Sequence, residues 1–69
     1  MSDVEFEAGK RDGREWMFAG IKKGWSLKDA ADQRKAKMKE LTGNDGFQSR
    51  SAEGFVQGAE EALSTIWPL

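Results

Sequence analysis

Apolar side chains recur along this chain at the three- and four-residue spacing that is typical of amphipathic helices, and they do so in three stretches. In the last stretch, the apolar side chains between positions 52 and 67 share one arc of about 140° on a helical wheel. A serine at position 49 or 51 precedes this arc as an N-cap, and Pro68 follows it as a stop. The pattern predicts a helix near residues 49–67.

The middle stretch predicts a second helix, near residues 26–42. Ser26 lies at the N-cap position and Asp29 lies three residues later, which is the spacing of a capping box. Gly43 ends the apolar pattern, and the segment TGNDGF then turns the chain toward the third helix. We do not expect a β-hairpin at this turn, because neither flank alternates polar and apolar residues over the length of a strand.

The first stretch predicts a helix near residues 3–23 in spite of its glycines, each of which costs about 1 kcal/mol relative to alanine in a helix. At helical pitch these glycines fall within about 60° of one another and form a groove that lets a second helix approach closely. The third helix contains a glycine pair with the same spacing. We therefore predict close helix packing at six positions: Gly9, Gly13, Gly20, Gly24, Gly54 and Gly58.

The first helix also carries large apolar side chains in two directions. Trp16 and Met17 flank the glycine groove, whereas Phe18 projects about 100° away. Val4 and Trp25 lie on the same side as Phe18. A helix with two apolar faces needs two packing partners. We expect Val4, Phe18 and Trp25 to form an exposed strip that contacts a partner.

Length and composition limit the class of protein. A chain of 69 residues forms one small domain with a marginal core, which favours self-association. It has no cysteine and no histidine, which excludes a disulfide, a thiolate nucleophile and the common zinc sites. No apolar run has the length of a membrane span. We expect a soluble, cytoplasmic, all-α protein without metal or cofactor: a three-helix bundle, or a helical hairpin plus one helix, that forms a homodimer.

The net charge of −1 conceals a segregation of charge along the chain. Residues 21–40 carry seven bases and three acids, whereas the segments on either side are net acidic. Arg34 points along the apolar stripe of the second helix, where an unpaired charge is costly. We expect it to pair with a carboxylate of a target, or with an acid of this chain or a second copy: Glu53, Glu60 or Glu61. The basic residues expected to contact a partner are Lys28, Arg34, Lys35 and Lys39.

Three hypotheses on function follow, and none is enzymatic, because the hydroxyls lack a histidine base and the carboxylates lack an enclosing cleft. The first hypothesis is a protein-binding module. In size and composition the chain resembles the accessory proteins with which bacteriophages and other mobile elements inhibit or redirect host proteins, including anti-defence proteins. The second is a dimeric nucleic-acid-binding protein that uses the middle helix. The third is an assembly subunit, which would form oligomers larger than a dimer. The acids of the third helix favour the first hypothesis over the second.

Overall fold

Three α-helices dominate the computed structural model, which describes residues 3–43 and 46–67. Helix α1 spans Val4–Lys23, α2 spans Leu27–Leu41 and α3 spans Arg50–Ile66. The helices pack together as a small bundle, which confirms the prediction of an all-α fold with three helices near these positions. Within the described residues, no helix is both long enough and apolar enough to cross a membrane.

Each helix begins after a residue whose side chain accepts a hydrogen bond from an otherwise unpaired backbone N–H group. Asp3 accepts from the N–H three residues later at 3.2 Å, and Ser49 does so at 3.1 Å. Ser26 and Asp29 form the predicted capping box at the start of α2, with both of its hydrogen bonds present. These polar residues fix where the helices start.

Helices α1 and α3 cross so closely that backbone meets backbone. A Cβ atom on Gly9 would overlap the carbonyl oxygen of Ser51, and a Cβ atom on Gly13 would overlap that of Phe55. The positions of contact advance together along both helices, so α1 and α3 run parallel. Since α1 and α3 run in one direction, α2 runs in the opposite direction and connects the end of α1 to the start of α3.

The close approach is reciprocal, because the glycines of α3 face the backbone of α1. A Cβ atom on Gly54 would overlap the carbonyl oxygen of Phe6, and a Cβ atom on Gly58 would overlap that of Lys10. Two glycines spaced four residues apart on each helix therefore create the crossing. This arrangement resembles the small-residue packing of membrane helices, here in a chain with charged outer faces.

Two of the six glycines do not lie at this crossing. Gly20 faces the ring of Trp25, so an indole rather than a helix backbone fills that part of the groove. Gly24 ends α1 with a φ angle of 121°, a left-handed conformation that glycine adopts without strain. A Cβ atom on Gly24 would meet nothing within 4 Å. The prediction of close helix packing is therefore wrong at Gly20, which packs on an indole, and at Gly24, whose role is to end the helix.

Beyond the glycine crossing, the core consists of small side chains around a single large one. Met17 has no exposed surface, and Ala30, Ala59 and Ala62 are buried around it. Alanine lets backbones come close, but each alanine buries little apolar area. Ala30 is the one buried residue of α2. Helix α2 is therefore attached to the bundle far more lightly than α1 and α3 are attached to each other.

The turn between α2 and α3 contains a short antiparallel ladder. Strand β1 (Thr42–Gly43) pairs with strand β2 (Gly46–Phe47), with Thr42 opposite Phe47. The backbone N–H of Gln48 donates to the last carbonyl of α2 at 3.0 Å and closes the ladder against the helix. The prediction that no β-hairpin forms here is wrong, because a two-residue ladder needs no alternating strand. Gly46 supplies the left-handed conformation that such a turn requires, with a φ angle of 109°.

Arg50 fastens the N-termini of α1 and α3 to each other. Its Nε donates to Asp3 Oδ2 at 2.7 Å, and its Nη1 donates to Glu53 Oε2 at 2.5 Å. Its Cζ lies 4.8 Å from the centroid of the Phe6 ring. The hydrogen bond from Arg50 lowers the pKa of Asp3 below its ordinary value, and the hydrogen bond to Asp3 raises the pKa of Arg50. The parallel direction of the two helices brings these charges together.

Candidate functional site

Three partly buried aromatic side chains, Trp16, Trp25 and Phe55, pack on one another, and we name them the aromatic cluster. The rings of Trp16 and Trp25 meet edge to face with their centroids 5.2 Å apart, and the ring of Trp16 lies 5.4 Å from that of Phe55. The expectation that Trp25 extends an exposed strip with Val4 and Phe18 is therefore wrong. The chain turns just before Trp25, and its indole folds back onto α1 and packs against the core.

Val4 and Phe18 do lie on the outer face of α1, where 69% and 42% of their surfaces are exposed. They are separated by about 21 Å along the helix axis. Arg11 lies midway between them on the same face and is exposed. Isolated apolar side chains are normal on a protein surface. This face of α1 consequently carries no continuous apolar patch.

Helix α2 carries an exposed row of lysines, which we name the lysine stripe. Lys28, Lys35 and Lys39 are exposed and point within about 40° of one another around the helix. They extend over about 16 Å of the helix axis. Among the described residues none of the three forms an ion pair. Leu27, with 46% of its surface exposed, points about 100° away from the stripe, to the side of α2 that carries Arg34.

Lys37 belongs to the same basic segment but turns inward. Its Nζ lies 5.8 Å from the ring centroids of both Trp16 and Phe55, and 3.5 Å from Glu40 Oε2. Its methylene stem therefore covers part of the aromatic cluster while its charge remains near solvent. The basic face of α2 is narrower than the count of lysines in the sequence indicates.

A groove of about 660 Å³ opens between α2 and α3, and we name it the α2–α3 groove. Its first wall consists of Arg34 and Met38 from α2 and Phe47 from the hairpin. Met38 is 37% exposed and Phe47 is 39% exposed, whereas Val56 is buried beneath them. The second wall is polar and comes from α3: Glu53, Gln57, Glu60, Glu61, Ser64 and Thr65.

Arg34 lies in this groove without a charged partner. Its Nε atom is buried and has no hydrogen-bond partner within the described part of the chain. A buried nitrogen without an acceptor is costly. Because the chain itself covers the Nε atom, an occupant of the groove can bond only to the Nη atoms of this guanidinium. The prediction that Arg34 pairs with an acid of its own chain is not met by any ion pair between residues 3–43 and 46–67.

Two of the three acids in the groove are already matched. Glu53 accepts from the guanidinium that clamps α1 to α3. Glu61 lies 3.3 Å from the Nζ of Lys10 and 3.8 Å from the Nη1 of Arg14. Glu60 forms no ion pair with any residue that the structure describes. The groove thus retains one unmatched base, Arg34, and one unmatched acid, Glu60.

No family model, no curated protein and no solved structure matches this chain. In the part of the chain that the structure describes, no group of three or more acidic side chains comes together as a metal site. The function is therefore inferred from the chemistry of two surfaces, the lysine stripe and the α2–α3 groove.

Sequence reasoning named the charged residues of the groove and missed Phe47. It singled out Arg34 because a charge stood on an apolar stripe, and it named Glu53, Glu60 and Glu61 as possible partners. Phe47 was missed because it lies in the turn, where a helical wheel gives no direction. The sequence indicates the groove only when two features are taken together: the apolar Phe47 in the turn and the charged Arg34 on the apolar stripe of α2.

Proposed function

We propose that this chain is a small, non-enzymatic protein-binding module that uses α2 to bind an acidic surface of another protein. The supporting observation is the lysine stripe, in which Lys28, Lys35 and Lys39 reach solvent and form no ion pair with any described residue. A row of like charges speeds encounter with a surface of opposite charge.

A dimeric nucleic-acid-binding protein is the second candidate, because the same lysines extend over about 16 Å and such a row also suits successive phosphates. One observation favours a protein partner. Trp16 and Trp25 pack on each other and against the core, so they are not placed to stack on bases.

In this proposal the partner is a host protein. The chain is an accessory protein of a bacteriophage or another mobile element, and it inhibits or redirects the host protein in the cytoplasm, for example in anti-defence. The supporting features are its small size, its lack of cysteine and its high content of charged residues. We also propose that it works as a homodimer, because a chain of this size buries few large side chains by itself.

The test is affinity capture from a host-cell extract on the immobilised full chain, with the captured protein identified by mass spectrometry. The variant Lys28→Gln, Lys35→Gln, Lys39→Gln removes the charge of the stripe while keeping good helix formers. We expect the variant to keep the circular dichroism spectrum of the original chain and to lose the captured protein. With the purified partner, we expect its Kd to rise by more than about tenfold.

A matched control removes the same charge from α1, at the exposed residues Arg11, Lys22 and Lys23. Capture that survives in this control and fails in the stripe variant supports the proposal. An equal loss in both variants contradicts it, because the total charge rather than the stripe would then determine binding. Capture that nuclease treatment abolishes favours the nucleic-acid-binding candidate instead.

A further inference from the structure

The α2–α3 groove presents one unmatched charge of each sign on facing walls. Arg34 stands on α2 with a buried Nε that lacks an acceptor, and Glu60 stands exposed on α3 without an ion pair among the described residues. The other two acids of the groove are matched within the chain. An occupant that offers an acid to Arg34 and a base to Glu60 would match both charges.

A second copy of the chain supplies both groups, its own Glu60 as the acid and its own Arg34 as the base. In a two-fold interface, residue i of one copy meets residue j of the other, and the reverse contact follows automatically. A surface with one free base and one free acid is then self-complementary. We infer that the α2–α3 groove is the interface of the homodimer, in which Arg34 of each copy pairs with Glu60 of the other copy.

The apolar wall of the groove supports the same occupant. Met38 and Phe47 are each more than one third exposed, although Phe and Met are residue types that concentrate in the buried centres of interfaces. Met17 is the one large side chain without exposed surface in the part of the chain that the structure describes, so the core by itself is small. A second copy covers Met38 and Phe47 and extends the buried apolar region of both chains.

Docking also gives Arg34 a charged partner. A carboxylate of the second copy can accept N–H bonds from the Nη atoms, and such charge-assisted bonds are about twice as strong as neutral ones. Because Lys28, Lys35 and Lys39 point about 100° away from Arg34 around α2, the lysine stripe stays available to another partner. The inference rests on the homodimer of the proposed function but does not depend on the identity of the target.

The test measures the mass of the full chain by sedimentation equilibrium over a concentration series that reaches the millimolar range. The original chain has a mass of 7.7 kDa, and we expect it to sediment as a dimer with twice this mass. Glu60→Arg places two arginines opposite each other in each contact, and Arg34→Glu places two acids opposite each other. Each variant alone should therefore dimerise more than about tenfold more weakly.

Mixing the two variants distinguishes a contact between two chains from an ion pair within one chain. In a mixed dimer, Arg34 of the Glu60→Arg chain meets the native Glu60 of the Arg34→Glu chain, and the two substituted residues meet each other with opposite charges. We expect the mixture to recover dimerisation close to that of the original chain. A pair within one chain is not restored by mixing, so failure of the mixture to dimerise overturns the inference.

The matched control is Glu15→Arg, an equal change of charge at an exposed residue on the outer face of α1. It should leave dimerisation unchanged. If Arg34→Glu does not fold, the comparison of Glu60→Arg with Glu15→Arg still decides, because equal dimerisation of these two variants overturns the interface. A chain that stays monomeric at millimolar concentration overturns both the homodimer and its interface, while leaving capture by the lysine stripe to be judged by its own experiment.

Discussion

The bundle contains one helix pair that is joined through backbone and one helix that is joined through side chains. Helices α1 and α3 meet at four glycines, where a Cβ atom would overlap a facing carbonyl group. Helix α2 has one buried residue, Ala30, and is otherwise held by the aromatic cluster and Lys37. Backbone contacts leave no room to repack, whereas side chains can change rotamer. The comparison indicates that the parallel pair is the scaffold and that α2, which carries the lysine stripe and Arg34, is the adaptable element.

Among single substitutions, one at the glycine crossing should have the largest effect on the free energy of unfolding. Gly13→Ala introduces a Cβ atom into the backbone of α3, and no rotamer change relieves that overlap. We expect the free energy of unfolding to fall by about 3 kcal/mol, as for severe overpacking. This exceeds the gain of about 1 kcal/mol that alanine brings through helix propensity. Chemical denaturation followed by circular dichroism measures the change.

Gly43→Ala is the control for this substitution, because its Cβ atom would lie 3.8 Å from the carbonyl oxygen of Gly46, an ordinary contact. We expect its free energy of unfolding to stay within about 0.5 kcal/mol of the original value. If Gly13→Ala is as stable as this control, α1 and α3 are not in backbone contact. The α1–α3 pair would then not be joined more rigidly than α2 is joined to it.

The second prediction concerns the weaker attachment of α2. Amide hydrogens of α2 should exchange with solvent about tenfold or more faster than those of α1 and α3, since lightly packed elements open without global unfolding. Ser26→Ala removes the acceptor for the N–H of Asp29 and should cost about 1 kcal/mol. Exchange measured by NMR should then accelerate in α2 more than in α1 or α3.

Ser64→Ala serves as the matched control, because Ser64 is an exposed serine within α3 and caps no helix. It should not accelerate exchange in α2. Equal acceleration in all three helices after Ser26→Ala would show that α2 opens only with the whole bundle, contrary to the distinction between scaffold and adaptable helix.

The smallest expected effect on stability concerns the ion pair between Arg50 and Asp3, which joins the N-termini of α1 and α3. Because Arg50 lowers the pKa of Asp3 in the folded chain, Asp3 contributes stability above its ordinary pKa of 3.8 and loses that contribution as the pH falls through the lowered value. Asp3→Asn keeps a good N-cap but removes the ion pair. We expect the variant to have a slightly lower Tm than the original chain near neutral pH, and the difference to vanish in acid.

Glu5→Gln is the control for this ion pair, because Glu5 is an exposed acid in the first turn of α1 without an ion pair among the described residues. Its Tm difference from the original chain should not follow the same acidic decline. A Tm difference between Asp3→Asn and the original chain that is constant from about pH 2 to pH 7 would show that Asp3 acts through capping alone.

Local sequence patterns were enough to predict the three helices, most of their ends and the glycine face of α1. Helical periodicity and capping depend on residues within one or two turns of each other, so the pattern from Ser26 onward and the amphipathic arc of α3 were sufficient. Gly9 and Gly13 lie on one face for the same local reason, and that face meets α3. The segregation of charge was also visible in the sequence, although Lys37 turned out to cover aromatic rings.

What each face meets depends on how the helices pack. Packing sets the parallel direction of α1 and α3, folds Trp25 back onto α1, forms the short hairpin, and brings Arg34 and Glu60 to one groove. These outcomes join residues that are distant along the chain or lie in turns, and their energies come from packing and desolvation between elements. A local pattern carries no record of such contacts, because each depends on the positions of all three helices at once.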